Sequence, residues 1–286
     1  MPRKRDTPKP SPTWARQDWY DHPLVYDIVH TPGTAKEMTG LERMFRRFGT
    51  PPASRRTALT VLEPACGSGR FLRVAAARGH RVIGLDLNPR MIDFARDQFK
   101  RRGLDGELHV ADMSKFDLTG LRVPYRSGAD LAFCLINSIR HLRSDAQLDA
   151  HLRCMAAAVR PGGIYAVGIS LTHYGAEFPT EEVFEGRRGG CRVVQLAQFL
   201  PPEARFERVL NHLTITTPAG EHHLDNAFEL RAYSGSQWKR AVDRSPFHVV
   251  GVVDEDAHDA VVLGTDDAWK RSNVMGYGIF ILKHRP

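Results

Sequence analysis

The sequence predicts an α/β protein built on a mostly parallel sheet with helices on both faces, extended by a second, antiparallel sheet. Three observations predict it. From about Ala58, short apolar runs alternate with helical stretches, the rhythm of strands buried under helices on two sides. Residues 61–72 pass from an apolar run through the small-residue turn Pro64-Ala65-Cys66-Gly67-Ser68-Gly69 into a helix. Beyond Ser170 the rhythm gives way to longer alternating strands.

A chain of 286 residues allows one large domain or two modest ones, and 42% hydrophobic with 26% charged residues is an ordinary globular composition. Residues 34–48 place Met38, Leu41, Phe45 and Phe48 at helical spacing, and Gly49-Thr50-Pro51-Pro52 stops that helix. Strands are expected at 59–63, 81–86, 107–111, 130–136 and 164–170. Helix 89–102 opens on Pro89, whose fixed φ suits a first turn, and shares Ile92, Ala95 and Phe99 on one face. Helix 145–160 carries the stripe Leu148, Leu152, Met155 and Val159. Ser144 and Gln147 have capping-box spacing at its start, and Pro161-Gly162-Gly163 ends it. Strands at 192–200, 205–217 and 222–233 read as antiparallel, the last two joined around Pro218-Ala219-Gly220-Glu221. A short helix near 236–243 and strands at 249–254 and 276–283 restore the α/β pattern and bring the main sheet to seven strands.

The formal charge of +7 suggests an acidic or nucleic-acid partner, but its location weakens the suggestion. Arg3, Lys4, Arg5, Lys9 and Arg16 stand against Asp6, which puts +4 of the +7 in a Pro-rich arm, residues 1–16, expected to be a disordered, solvated tail. Cys66, Cys134, Cys154 and Cys191 are widely spaced, with no Cys-x-x-Cys pair, so neither a zinc site nor a disulfide framework is expected and a reducing cytoplasm suits them. No apolar run approaches the ~20 residues of a bilayer span, and the N-terminus lacks an apolar signal region.

The turn after residue 63 is the informative one. Small residues at Ala65, Gly67 and Gly69 let backbone approach a ligand closely. A dinucleotide fingerprint needs a third glycine where Leu72 or Arg70 stands, and a phosphate loop needs Gly-Lys-Ser/Thr where Gly69-Arg70-Phe71 stands. What remains, Glu63 followed by Ala-x-Gly-x-Gly, resembles the nucleotide-binding motif of class I S-adenosylmethionine-dependent methyltransferases. The resemblance continues through Val82-Ile-Gly-Leu-Asp86-Leu-Asn-Pro-Arg-Met91, His109-Val-Ala-Asp112-Met113, residues 131–142 and Val159-Arg-Pro-Gly-Gly-Ile-Tyr165, covering about residues 57–170.

That resemblance implies a Rossmann-like seven-stranded sheet, S-adenosylmethionine as cofactor with S-adenosylhomocysteine as product, and no metal. Its implied cofactor-binding residues are Glu63, Ala65, Cys66, Gly67, Gly69, Asp86, Leu87, Met91, Asp112, Met113 and Cys134. In the family, the acid at Asp86 takes the ribose hydroxyls and the one at Asp112 meets the adenine amino group, and a carboxylate makes the stronger, charge-assisted bonds to such donors. Residues 20–27 resemble the lid segment of small-molecule members, which makes Tyr26 the candidate to close over the methionine moiety.

Methyl transfer from a sulfonium asks chiefly for an in-line lone pair held at about 3–3.5 Å in a dry pocket. A hydroxyl acceptor gains from a general base, whereas a neutral amine needs little beyond desolvation. Asn137 and His141, after the fourth strand, stand where ligands bind in such sheets, so His141, Asn137 and Tyr26 are the catalytic candidates. His173 and Tyr174, past the fifth strand, and Arg231 and Tyr233, at the end of the inserted sheet, are candidates for substrate contact.

No Asn/Asp-Pro-Pro-Tyr/Phe segment and no Pro-Cys nucleophile is present, which disfavours DNA bases. The insert resembles that of glycine, sarcosine and amino-sugar N-methyltransferases. The expected acceptor is therefore a small polar molecule, nitrogen rather than oxygen, with no membrane and no nucleic-acid partner, in a monomer or homodimer. Two alternatives stay open: an RNA- or protein-directed methyltransferase anchored by the basic arm, and a cofactor-binding module without catalysis. The expected division is a basic arm at 1–16, a helical lid at 17–56, the cofactor-binding core at 57–170, the inserted β lid at 171–235 and the completion of the core sheet at 236–286.

Overall fold

The computed structural model describes residues 13–16, 18–51, 58–120, 127–254, 261–263 and 276–286. In chain order the first half runs β1 (Thr13–Arg16), α1 (Pro23–His30), α2 (Thr34–Phe48), β2 (Thr60–Glu63), α3 (Arg70–Ala77), β3 (Arg81–Asp86), α4 (Pro89–Arg101), β4 (Glu107–Val110) and β5 (Ala129–Cys134). Then come α5 (Asp145–Ala158), β6 (Val159–Ser170), β7 (Thr180–Arg188), β8 (Cys191–Phe199), β9 (Phe206–Thr217), β10 (Gly220–Arg231), α6 (Gly235–Arg244), β11 (Phe247–Asp254), β12 (Val261–Leu263) and β13 (Tyr277–His284).

The main sheet has the order β12-β11-β13-β6-β5-β2-β3-β4. The seven expected strands are there, and β12, paired with β11, is an eighth at the edge. From β2 the chain winds one way through β3 and β4, then crosses back to β5 and β6, all parallel. The reversal opens a crevice at the carboxyl ends of β2 and β5, where ligands of such sheets bind.

Residues alternate between two apolar layers. Leu62, Ile83, Ala132, Tyr165 and Val167 pack with α5 (Leu148, Leu152, Met155) and α6 (Trp238, Val242). Val61, Val82, Leu131, Phe133 and Ala166 pack with α2 (Met38, Leu41, Phe45), α3 (Phe71, Leu72) and α4 (Ile92, Phe99). Each such aliphatic or aromatic side chain contributes roughly 1.5–3 kcal/mol on burial.

Two helix ends differ from expectation. Helix α5 stops at Ala158, because Val159 is already extended and pairs with Ala129; the Pro161-Gly162-Gly163 segment lies inside a strand that is bulged against β5. At its start Ser144 accepts from the Gln147 N–H, but Gln147 Oε1 accepts from the Arg143 N–H instead of closing the box on Ser144. The reciprocal box is made at Ser234 and Gln237, opening α6.

The inserted sheet is larger than the three strands expected: its order is β1-β10-β9-β8-β7. The added β7 pairs with β8 through nine registered positions, Thr180 to Arg188. Most of the basic arm, residues 1–12, lies outside the described residues, but Thr13–Arg16 form β1, parallel to β10. The last four residues of the expected tail therefore belong to the lid sheet, where they cover an edge that would otherwise present unpaired backbone groups.

Candidate active site

A cavity of about 950 Å³ lies between the carboxyl ends of the parallel strands and the inner face of the lid sheet. Three parts of the chain wall it: the segment 18–30, the strand-end turns of the main sheet, and lid strands β7 to β10.

The floor is the turn after β2. Gly67 has φ +51°, and a Cβ there would stand 3.2 Å from the Tyr26 ring. A side chain at this position would thus meet the lid segment. Gly69, at φ +73°, serves packing instead: its missing Cβ would lie 3.1 Å from the Ala95 Cβ, so it lets α3 sit against α4. The Gly67 N–H donates to Asp86 Oδ2 at 2.7 Å, and the Asn88 N–H donates to Asp86 Oδ1 at 2.9 Å. Burial pushes the Asp86 carboxyl up, against the pull of those two N–H groups.

Glu63, Asp86 and Asp112 stand at or just beyond the ends of the adjacent strands β2, β3 and β4. Glu63 is buried beside Arg70, Cys66 and Tyr26, and its Oε2 has no hydrogen-bond partner. Burial pushes its carboxyl well above the usual range despite Arg70. Burial also works to raise Asp112, but the Ser114 hydroxyl and N–H, at 2.7 and 2.8 Å, win and hold it below the usual range. The next carbonyl, of Met113, accepts from His151 Nδ1 at 2.8 Å, while His151 Nε2 accepts from the Tyr165 hydroxyl at 2.7 Å. That pair of partners fixes one tautomer of a buried histidine directly beneath the Asp112 turn.

After β5 the backbone takes two successive left-handed non-glycine residues, Ile136 (φ 46°) and Asn137 (φ 63°), a conformation that stores strain and clusters at functional sites. It is held by Asn137, whose carboxamide donates to Ser170 Oγ at 3.0 Å and accepts from the Ser170 N–H at 2.7 Å. Both poles of Asn137 are thus used in shaping the turn. The turn delivers His141 to the cavity, 3.3 Å from the Tyr20 hydroxyl and stacked on Phe228 of β10 at 5.6 Å. Burial, with Arg140 and then Arg143 adding repulsion, pushes the His141 imidazole down to about 4. Because His141 remains open to cavity water, the direction rather than the size of that shift carries the chemistry: the ring is neutral near pH 7.

Among the cofactor candidates, Ala65, Gly67, Asp86, Leu87, Met91, Asp112 and Met113 line the main cavity, and Glu63 and Cys66 line a small recess beside it. Leu87 and Ile136 are large apolar side chains left 72% and 40% exposed at the wall, which suits the faces of a flat ring. Asp86 and Asp112 on the cavity wall offer acceptors suited to a ligand with hydroxyls and a ring amine, and the orphaned Glu63 oxygen stands in the recess beside them.

Residues 61–163 match the family described as a methyltransferase domain. Over 224 residues the chain is 31% identical to the dTDP-3-amino-3,6-dideoxy-alpha-D-glucopyranose N,N-dimethyltransferase of Streptomyces fradiae, covering 76% of this chain and 80% of that one. The chain belongs to the class I S-adenosylmethionine-dependent methyltransferases. Its fold is shared by CalS10, an amino pentose methyltransferase from Micromonospora echinaspora, at TM-score 0.66, 19% identity and coverage of 95% and 99% of the two chains. It is shared as well by the sugar N-methyltransferase KedS8 from Streptoalloteichus, at TM-score 0.66, 20% identity and coverage of 100% and 99%. The methyltransferase uses S-adenosylmethionine as its cofactor.

Other expected site residues of this methyltransferase lie away from the cavity. Cys134 is buried inside β5, in the layer against α5, and burial pushes its thiol up to about 12. Arg231 is spent on Asp145 and the Tyr233 hydroxyl, at 2.8 and 3.1 Å, and Tyr233 itself packs in the core against Trp238. Tyr174 donates to the Ala232 carbonyl and His173 is exposed; neither lines the cavity. These four follow the chain past β6 and β10 into the joint between core and lid, which α6 closes. The lid residues that do line the cavity, among them Glu182, Phe184, Gln195, Asn211 and Phe228, were not singled out from sequence. Their signal was the two-residue alternation of the lid strands, in which Gln195 and Asn211 stand out as polar residues on the inward register.

All four cysteines are free thiols. Among the described residues no group of three or more His, Cys, Asp or Glu side chains is placed to hold a metal ion, and no helix is long and apolar enough to cross a membrane.

Proposed function

We propose that the protein transfers a methyl group to the amine nitrogen of a small amino sugar. S-adenosylmethionine, when bound, supplies an electrophilic methyl on a sulfonium. Glu63, Asp86 and Asp112 hold its cationic, ribose and adenine ends, and Gly67 and Tyr26 close on the turn between them. The observation that carries the reading is the continuity of one cavity from Asp86 and Asp112 to a polar patch on the lid, with the neutral His141 and the Tyr20 hydroxyl at the junction. The amino-sugar activity named for the Streptomyces fradiae relative supports the acceptor class.

A neutral imidazole can accept a hydrogen bond from an N–H and so aim the nitrogen lone pair. The amine enters as the free base, and the ammonium formed by the transfer gives up one proton to water. Catalysis is mainly positioning, worth of order 7–11 kcal/mol in favourable cases. The test is incubation with S-adenosylmethionine and a panel of 3-amino sugars, glycine, sarcosine and phenols, read by mass spectrometry. N-methylated amino sugar is the expected product; cofactor binding with methylation confined to glycine or phenols overturns the acceptor assignment.

A further inference from the structure

The inner face of the lid changes character along its strands. Where it meets α1 it is apolar, with Val193, Leu213 and Leu224 packed against Ile28 and Val29. Two residues on, the same face carries Gln195, Asn211 and Asn226; two further, it returns to Ala197, Val209 and Phe228. Strand register sets the three carboxamides in a row: Asn211 lies opposite Asn226, and its neighbour across β8 is Ala197, one inward position from Gln195.

Gln195 and Asn211 line the cavity at 4% and 3% exposure. Gln195 Nε2 donates to Asn211 Oδ1 at 3.1 Å. That bond leaves Gln195 Oε1 and Asn211 Nδ2 buried without a hydrogen-bond partner. Unmet buried poles oppose folding, and apolar residues fill the same face on either side. Their retention in a cavity wall points to a ligand that completes them.

We propose that this carboxamide pair reads the ring hydroxyls of the methyl acceptor, with Gln195 Oε1 taking a hydroxyl proton and Asn211 Nδ2 donating to a hydroxyl oxygen. A carboxylate or phosphate would confront the Gln195 carbonyl, and an ammonium would leave the Asn211 donor unmet. Hydroxyls donate and accept at once, so they satisfy both poles. The assignment rests on the amino-sugar reading of the cavity.

The experiment measures kcat/KM for dTDP-3-amino-3,6-dideoxy-alpha-D-glucopyranose and for analogues lacking one ring hydroxyl, in the wild type, Gln195→Leu and Asn211→Leu. The wild type is expected to favour the parent over at least one analogue by about tenfold or more, and the variants to bring that ratio within about twofold of unity. S-adenosylmethionine affinity by calorimetry stays unchanged, and the melting temperature changes little, because each substitution removes one unmet pole and strands one partner of the Gln195–Asn211 bond. Gln195→Met, close in shape, serves if Gln195→Leu does not fold. A preference kept intact in folded variants, or a fall in melting temperature with unchanged selectivity, overturns the subsite and leaves the amino-sugar reading standing. A wild type that binds cofactor and methylates none of these sugars overturns both.

Discussion

Asp86 already holds two backbone N–H groups, one on each carboxylate oxygen, and each oxygen retains capacity for a further donor. Asp86→Asn keeps the shape but turns one acceptor into a donor facing ribose hydroxyls. We expect S-adenosylmethionine to bind about 10- to 100-fold more weakly, the scale of one or more bonds to a charged group, and the free protein to unfold at a somewhat lower temperature, because the new amide faces one of the two backbone N–H groups. Unchanged affinity by calorimetry would remove the ribose role. At His141 the downward shift keeps the ring neutral near pH 7, so the rising limb of kcat/KM with pH belongs to the substrate amine. His141→Gln should lower kcat while leaving the position of that limb in place; a limb that moves or vanishes would make His141 a titrating base. The acids were legible in sequence because each stands at or within two residues of a strand end, next to a turn with its own signature. Tyr20, His141's hydrogen-bond partner, was not, since their meeting joins residues 121 positions apart.

Helix α1 carries the joint between lid and core. Asp27 is fully buried on it, accepting from Ser68 Oγ and Arg73 at 2.6 Å each and pairing with Arg188 of β7 at 2.7 Å. Burial opposes its charge, but Arg73 leads a set of partners that hold its carboxyl below the usual range. Asp27→Ala strands a buried Arg73 and should cost about 3–5 kcal/mol in urea unfolding. Arg188→Met, losing a partner that is 37% exposed, should cost well under that, about 1 kcal/mol. Equal costs would show that the lid anchor, not the buried pair, dominates. Helices α2 and α4 were legible from their 3.6-residue apolar spacing. Strand β7, with charged residues at five of nine positions, offered no apolar alternation, and β1 is defined only by its pairing with β10. Both are edge strands, made by partners distant in sequence rather than by their own composition.

At the scale of the whole molecule, the parallel sheet could be read from sequence because buried strands are apolar throughout, whereas the seating of the lid across their ends could not. The cavity belongs to that assembly, and so does its buried histidine set. His151 is completely buried, and burial pushes it down to about 4; burial also takes His30 down to about 3, with Arg70 adding repulsion. In the unfolded chain each returns to about 6.5. Between roughly pH 6.5 and 4 the unfolded state therefore binds more protons than the folded one, and stability falls as pH drops through that window. His151 is the sharpest case, because protonating Nε2 ends its acceptance from Tyr165 and disturbs the Met113 carbonyl that frames the adenine turn. Urea unfolding followed from about pH 7 to about pH 4 should show this loss, and His151→Gln should reduce proton uptake on unfolding near pH 5 by about one. Cofactor affinity should hold through most of that window and decline only near pH 4, where the ring of the folded protein itself begins to be protonated and the turn it supports is disturbed. A wild-type stability that is flat across the window would mean that His151 is protonated in the folded protein, and the tautomer assigned to it would be wrong.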